Sequence, residues 1–271
     1  MLRVFPVVMI VIAAVGAITP QDSSYRSPLL SPADSALVEF EAGRFWHAAR
    51  MLREEGAATG KPEDILLLAR AEAGWGNWSA VAELLDGAEW LPGESGAIGL
   101  YLLGRAWEAR GQWAQAAESY GRYVDLSSSE TTRHHASIVR WTRSLWKSGE
   151  REASFIALHQ LAPHLGAQSW TALELALGEA RDGNVSSVED LLSIIEHPSA
   201  RLSSWRLLPD ALFEAGDLTG TAEAFREAYQ QLTGDRRATA GIELAGLLLA
   251  GGDTATARGL LLGGLEEAPV A

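Results

Sequence analysis

Three arginines recur at nearly regular intervals in the chain. Arg70, Arg105 and Arg143 are 35 and 38 residues apart, as expected of one position in successive units of a repeating chain. A guanidinium group offers a planar fork of donors that can bind a carboxylate or phosphate through two hydrogen bonds. The arginines therefore predict an anion-binding surface. The alternative is that acids such as Glu72 and Glu108 neutralise them in solvated ion pairs of little energy.

Residue patterns for catalysis or metal binding are missing from the sequence. The chain contains no cysteine, which excludes disulfides, a thiolate nucleophile and cysteine ligands for zinc. None of the six histidines occurs in an H-E-x-x-H arrangement, and neither a G-x-S-x-G segment nor a P-loop is present. We therefore expect no catalytic residue, no metal and no cofactor. The net charge of -13, without a basic run, also argues against nucleic acid as a partner.

Seven glycines define the repeat to which the arginines belong. Each follows a helical stretch and precedes a polar residue, with separations of 33, 35, 38, 34, 33 and 36 residues, the period of a helix-turn-helix repeat. They are Gly43, Gly76, Gly111, Gly149, Gly183, Gly216 and Gly252. A tight turn between antiparallel helices usually requires one residue with positive φ, which glycine adopts without steric cost. The sequence therefore predicts seven helical hairpins.

Further positions recur around each glycine. Side chains are small in most repeats seven residues before it and five residues after it, and nine residues after it they are leucine, tyrosine or phenylalanine. The third copy, with Gly104, Trp107, Gly111, Ala116 and Tyr120, resembles the tetratricopeptide repeat (TPR) family at nearly every signature position. The resemblance implies an all-α fold, a right-handed superhelical solenoid of about seven TPR-like repeats over residues 34–271.

The TPR resemblance also implies where the arginines point. In that family the position six residues before the turn glycine faces a concave groove, where the first helices of successive repeats line up about 10 Å apart. Arg70, Arg105 and Arg143 take this position, and Tyr101 and Trp146 take neighbouring groove-facing positions. The lysine and asparagine of the family's carboxylate clamp are missing. We expect an interaction scaffold, not an enzyme, whose groove binds a peptide or protein segment with acidic or carboxylate groups.

The N-terminal residues predict export. Residues 1–17 combine an early cation, Arg3, with an apolar stretch and the small-residue pattern Val15, Gly16, Ala17, which is typical of a secretory signal peptide. Residues 18–33, rich in proline and serine, predict an extended lead-in. Because no cysteine is available for lipid attachment, the prediction is a periplasmic or secreted protein. The alternative is a protein anchored to the inner membrane by an uncleaved N-terminal helix.

The end of the sequence leaves two further alternatives open. Pro269 lies 17 residues after Gly252, where the TPR family places a proline between repeats, and no capping helix follows. A solenoid needs its terminal faces covered, so this predicts a partner or self-association at the last repeat, or a longer protein.

Acidic helical solenoids also precede the catalytic domain of soluble lytic transglycosylases, which use a Glu-Ser pair. Here Glu94 and Ser95 form such a pair in a connector, but the family's Gly-Leu-Met-Gln segment is missing. The alternatives to an independent scaffold are therefore the non-catalytic arm of such a cell-wall enzyme, or a structural subunit of a membrane-associated complex.

Overall fold

The chain folds into a row of α-helical hairpins. The computed structural model describes residues 32–56, 60–129 and 131–267, and these residues form no strand. In the described part the helices are α1 (Pro32–Glu41) paired with α2 (Phe45–Met51), α3 (Pro62–Gly74) with α4 (Trp78–Leu85), α5 (Ile98–Ala109) with α6 (Trp113–Leu126), α7 (Thr132–Ser148) with α8 (Arg151–Gln160), α9 (Leu165–Arg181) with α10 (Val185–Ile194), then α11 (Pro198–Ser203) alone, α12 (Leu207–Glu214) with α13 (Leu218–Gln231), and α14 (Gly234–Ala250) with α15 (Thr254–Glu267). The prediction of an all-α solenoid of seven TPR-like hairpins is confirmed.

The seven glycines all close a helix in the same way. Their φ angles lie between 68° and 92°, in the region that side chains with a Cβ rarely adopt. In each turn the N–H of the residue after the glycine donates to the carbonyl five residues earlier, at 2.8–2.9 Å. The glycine N–H donates to the carbonyl three residues before it. These two bonds define a Schellman motif, so the recurring glycine sets the end of every first helix.

The small positions let the two helices of a hairpin approach closely. The residues five after the glycine are all completely buried: Ala48, Val81, Ala116, Ser154, Val188, Thr221 and Ala257. Gly104, seven before its turn glycine, packs so tightly that a Cβ there would lie 2.7 Å from two carbons of the Tyr120 ring. Larger residues at these positions would force the helices apart.

Large apolar side chains nine residues after the glycine form the core between hairpins. Leu52, Leu85, Leu158 and Phe225 are at most 4 % exposed. The corresponding Leu261, in the last hairpin described, is 39 % exposed. Self-association or partner contact at this hairpin stays a prediction.

The sixth hairpin departs from the repeat. Its first helix, α12, has 8 residues, whereas α7, α9 and α14 have 17 each. The preceding segment forms the separate α11, and Trp205 lies in the break between the two helices. The spacing of the glycines did not predict this break.

Two predictions on the ends lie outside the described residues. They concern the signal peptide at residues 1–17, with most of the lead-in, and Pro269. Within the described ranges, none of the helices has the length and apolar character needed to span a membrane.

Candidate binding groove

Contacts between successive first helices show which face of the solenoid they share. Arg143 of α7 bonds to Glu174 of α9, and Arg206, directly before α12, lies 3.1 Å from Glu243 of α14. These residues lie six to ten positions before their turn glycines. The second helices pack on another side, where Gly104 meets the ring of Tyr120. The positions six, nine and ten before the glycine therefore line one common face, which the TPR resemblance predicts to be a concave groove.

The carboxylate of Glu108 lies among several arginines in the middle of the groove. Its Oε2 accepts hydrogen bonds of 2.6 Å from both the Tyr120 hydroxyl and Nη1 of Arg140. Nε of Arg105 lies 3.9 Å from the same oxygen, and Nη1 of Arg143 lies 3.9 Å from Oε1. The Glu108 side chain is 17 % exposed. Arg105, Arg140 and Arg143 thus surround a single acid, joining the third and fourth repeats.

This cluster, which we call the Glu108 cluster, carries more positive than negative charge. Glu174 is the second acid, bound to Arg143 from the fifth repeat. The three arginines therefore face two carboxylates, in a chain whose net charge is -13. Burial and the hydrogen bond to Glu108 raise the pKa of Tyr120, so its phenol stays a donor and adds no negative charge.

Aromatic rings stack against two of the groove arginines and restrict their side chains. The guanidinium of Arg105 lies 4.8 Å above the ring of Trp78 and reaches the Tyr101 hydroxyl at 3.5 Å. That of Arg70 lies 4.7 Å above the ring of Phe40. Arg70 forms no ion pair with any residue in the described ranges. Stacking restricts these side chains without neutralising their charge.

Trp146 lies in the interface between repeats rather than open in the groove. It is 5 % exposed, and its indole N–H donates to Oε1 of Glu179 at 2.7 Å. Arg151 also donates to Glu179 at 2.7 Å and stacks over the Trp146 ring at 4.0 Å. Little of the ring is left for a partner, because the third position before the glycine packs against the next repeat here. Trp146 therefore joins the fourth and fifth repeats.

Glu179 is a buried acid held by three donors. Asn184, directly after the turn glycine, donates to its Oε2 at 2.9 Å, beside the bonds from Trp146 and Arg151. Burial would raise the pKa of Glu179, but the hydrogen bonds from Arg151 and Trp146 outweigh it and hold the pKa below its usual range. The carboxylate therefore stays ionised at neutral pH.

Glu72, the acid expected beside Arg70, repeats this arrangement elsewhere. It is completely buried, accepts a hydrogen bond of 2.8 Å from Asn77, and lies 2.6 Å from Nη2 of Arg53 in the preceding repeat. Glu108 and Glu174 thus lie near Arg105 and Arg143, but Glu72 pairs with Arg53 instead of Arg70.

A cavity of about 570 Å³ opens beside the Glu108 cluster, between α7 and α9. Its walls carry four cations, Arg143, Lys147, Arg151 and Arg181, and three acids, Glu174, Glu179 and Asp182. Lys147 stacks over Trp113 at 4.3 Å, and neither Lys147 nor Arg181 forms an ion pair with the described part of the chain. Leu177 supplies an apolar wall. The cavity therefore places two cations without an ion pair in the described ranges, Lys147 and Arg181, beside an apolar wall and three acids.

The structure brings together three of the five predicted groove residues. Tyr101, Arg105 and Arg143 meet at the Glu108 cluster, whereas Arg70 lies one repeat away and Trp146 lies buried. Arg140, which also binds Glu108, was not among the predicted residues. Its signal was available, since a spacing of three residues from Arg143 places both on one helix face.

The acids and histidines outside the groove form no metal site in the described part of the chain. Across residues 32–56, 60–129 and 131–267, no three side chains of histidine, aspartate or glutamate converge as metal ligands. Glu94 and Ser95 lie in the connector before α5, where the Ser95 hydroxyl donates to Glu94 at 3.1 Å.

No protein-family model matches the chain, and no curated protein matches it. Among solved structures it is similar to the nearly identical TPR-like repeats of a Podosopora anserina protein assigned as a kinesin light chain. That similarity has 23% identity over 62% of this chain and 93% of the other, with a TM-score of 0.35. A variant form of the same repeats gives 22% identity, 62% and 92% coverage, and the same TM-score. What the groove can bind follows from this chain's own contacts.

Proposed function

We propose that the chain is an exported interaction scaffold that binds an acidic protein segment in its concave groove. The observation that carries this proposal is the Glu108 cluster, in which Arg105, Arg140 and Arg143 share one central carboxylate. A partner carboxylate placed there would complete ion pairs that the chain itself leaves long, such as the 3.9 Å contacts of Arg105 and Arg143 with Glu108.

Partial burial makes this cluster a better anion site than a free surface arginine. The side chains of Arg105, Arg140 and Arg143 are 30 %, 25 % and 22 % exposed. Charges with restricted solvent access are screened less by salt than exposed ones. Since stacking and neighbouring bonds already order these side chains, a ligand loses less conformational entropy when it binds them.

Export is the part of the proposal that rests on the sequence alone. The apolar stretch and small-residue pattern of residues 1–17 support a cleaved signal, and with it a periplasmic or secreted location. A partner protein in the same compartment would then supply the acidic segment.

Charge reversal in the groove tests the binding function. The probe is a fluorescein-labelled peptide of about twelve residues, with glutamates in its first half and serine and glycine in its second; we call it the acidic peptide. We expect the double variant Arg105→Glu, Arg143→Glu to weaken its binding by about tenfold or more in fluorescence anisotropy.

Arg122→Glu is the matched control, because Arg122 is exposed on α6, the second helix of the same repeat. Each Arg→Glu substitution changes the net charge by the same amount, but Arg122 lies on a second helix, away from the groove. Equal weakening by Arg122→Glu would show that only the overall charge matters, and the groove proposal would be wrong. Circular dichroism of each variant checks that the helices are retained.

A further inference from the structure

The last three repeats expose large apolar side chains on their first helices. Leu177 is 42 % exposed, Phe213 54 %, Ile242 62 % and Leu249 49 %. Trp170, near the start of α9, is 46 % exposed. Exposed apolar residues scattered singly are ordinary, so their placement decides whether they form a surface.

Their register places all five side chains on the groove face. Leu177 lies six residues before Gly183, the position that holds Arg70, Arg105 and Arg143 in earlier repeats. The others lie three, ten or thirteen residues before their turn glycines, at steps of three and four that share one helix face. Arg206 and Glu243, which join α12 to α14, belong to the same face. We call this set the apolar half of the groove.

Arg206, on the same face as the apolar half, is paired with two acids within the chain. Arg206 lies 3.2 Å from Asp210, which takes the arginine position in the sixth repeat, and 3.1 Å from Glu243. In the first repeat, Leu37 is also exposed at the arginine position, at 39 %, but no second large apolar groove residue there is exposed to that degree. The groove thus changes along its length from cationic in repeats two to five to apolar in repeats five to seven.

We infer that the groove takes a partner segment that is acidic at one end and apolar at the other. This rests on the proposed function and specifies the partner. The first helices from α5 to α14 make four steps of about 10 Å, so the two ends of the site lie about 40 Å apart. An extended segment of about twelve residues covers that distance. The acidic end binds the Glu108 cluster, and the apolar end covers Leu177, Phe213, Ile242 and Leu249.

Charge favours a different protein over a second copy of this chain as the occupant. Two copies, each with a net charge of -13, repel one another at low ionic strength. An acidic stretch on the partner is instead attracted to the arginines next to the apolar half. Electrostatic attraction of this kind fixes the register of an interface as well as its strength.

The test compares two peptides that differ only in one half. The two-part peptide keeps the glutamates of the acidic peptide but carries leucine and phenylalanine alternating with serine in the other half. We expect it to bind the full chain more tightly than the acidic peptide. Ile242→Ser and Phe213→Ser should each weaken the two-part peptide on the order of tenfold and leave the acidic peptide unaffected.

Ile156→Ser is the matched control for Ile242→Ser. Ile156 is 59 % exposed, nearly as much as Ile242, but lies on α8, a second helix. It should change the affinity of neither peptide. If the serine variants in the groove bind both peptides as the wild type does, while the double arginine variant loses them, the inference is wrong and the proposed function stands.

Two other outcomes would also overturn the inference. If neither peptide binds the wild type, the inference and the proposed function fail together. If sedimentation shows that the wild type dimerises and Ile242→Ser makes it monomeric, the apolar half is a contact between copies of this chain.

Discussion

Replacing Glu108 by glutamine should destabilise the fold and strengthen binding at the same time. The substitution keeps the size of the side chain and one acceptor oxygen, but removes the negative charge at the centre of three arginines. A hydrogen bond to a charged group contributes about 1.5–3 kcal/mol, and Glu108 accepts two short ones, from Tyr120 and Arg140. Both bonds end on Oε2, and an amide oxygen in its place can still accept both, but without the negative charge that strengthens them. We therefore expect the free energy of unfolding to fall by about 1–2 kcal/mol.

The effect on binding has the opposite sign. A partner carboxylate bound by Arg105 and Arg143 would lie about 5 Å from Glu108, where repulsion between two unit charges in water amounts to about 0.8 kcal/mol. Removing the Glu108 charge therefore raises the affinity for the acidic peptide about fourfold. A purely structural role for the cluster would move affinity and stability in the same direction.

Two measurements separate these outcomes. Urea unfolding followed by circular dichroism gives the stability, and fluorescence anisotropy with the acidic peptide gives the affinity at low and high salt. Glu118→Gln is the control, since Glu118 is exposed on α6 and makes the same change in net charge. If Glu108→Gln binds the peptide more weakly than the wild type, the assignment of this cluster as the anion site is refuted.

Two further predictions concern the buried acid and the N-terminus. The pKa of Glu179 is lowered in the folded chain, so its stabilisation is present above the unfolded value of about 4.3 and is lost as pH falls through the folded value. Glu179→Gln should cost about 1–3 kcal/mol at pH 7 and progressively less in acid, as urea unfolding from pH 7 to pH 3 can measure; a pH-independent difference would contradict the ionised carboxylate. Mass spectrometry of the protein recovered from cells should find a chain that starts at Ile18, whereas a chain that keeps Met1 would argue for the uncleaved helix.

The hairpins were predictable because their turns depend on one residue type. A Schellman motif needs a positive φ, and glycine at that point recurs every 33 to 38 residues, so the sequence alone located all seven turns. The close contact between Gly104 and Tyr120 was also predictable, since small and large residues recur at fixed distances from the glycine. Local rules of backbone conformation and side-chain size decide both features.

The candidate site was only partly predictable, because one position of the repeat can serve two purposes. The third residue before the glycine is Glu108 in the third repeat, Trp146 in the fourth and Phe213 in the sixth. Glu108 faces the groove arginines, Trp146 packs beneath Arg151, and Phe213 is exposed. The register sets the helix face, but whether the side chain there is buried or exposed depends on its neighbour across the repeat junction, which the register of a single helix does not fix.

The same acids that join the repeats also set the charge of the groove. Glu72, Glu108 and Glu179 each bind an arginine of a neighbouring repeat. In a solenoid each repeat contacts only its neighbours, so these pairs couple adjacent units directly. Glu72 and Glu179 are buried and each accepts a hydrogen bond from an asparagine, whereas Glu108 lies among more arginines than it can neutralise. A segment bound there contacts the third and fourth repeats together, and its binding energy therefore stabilises the junction that Glu108 holds.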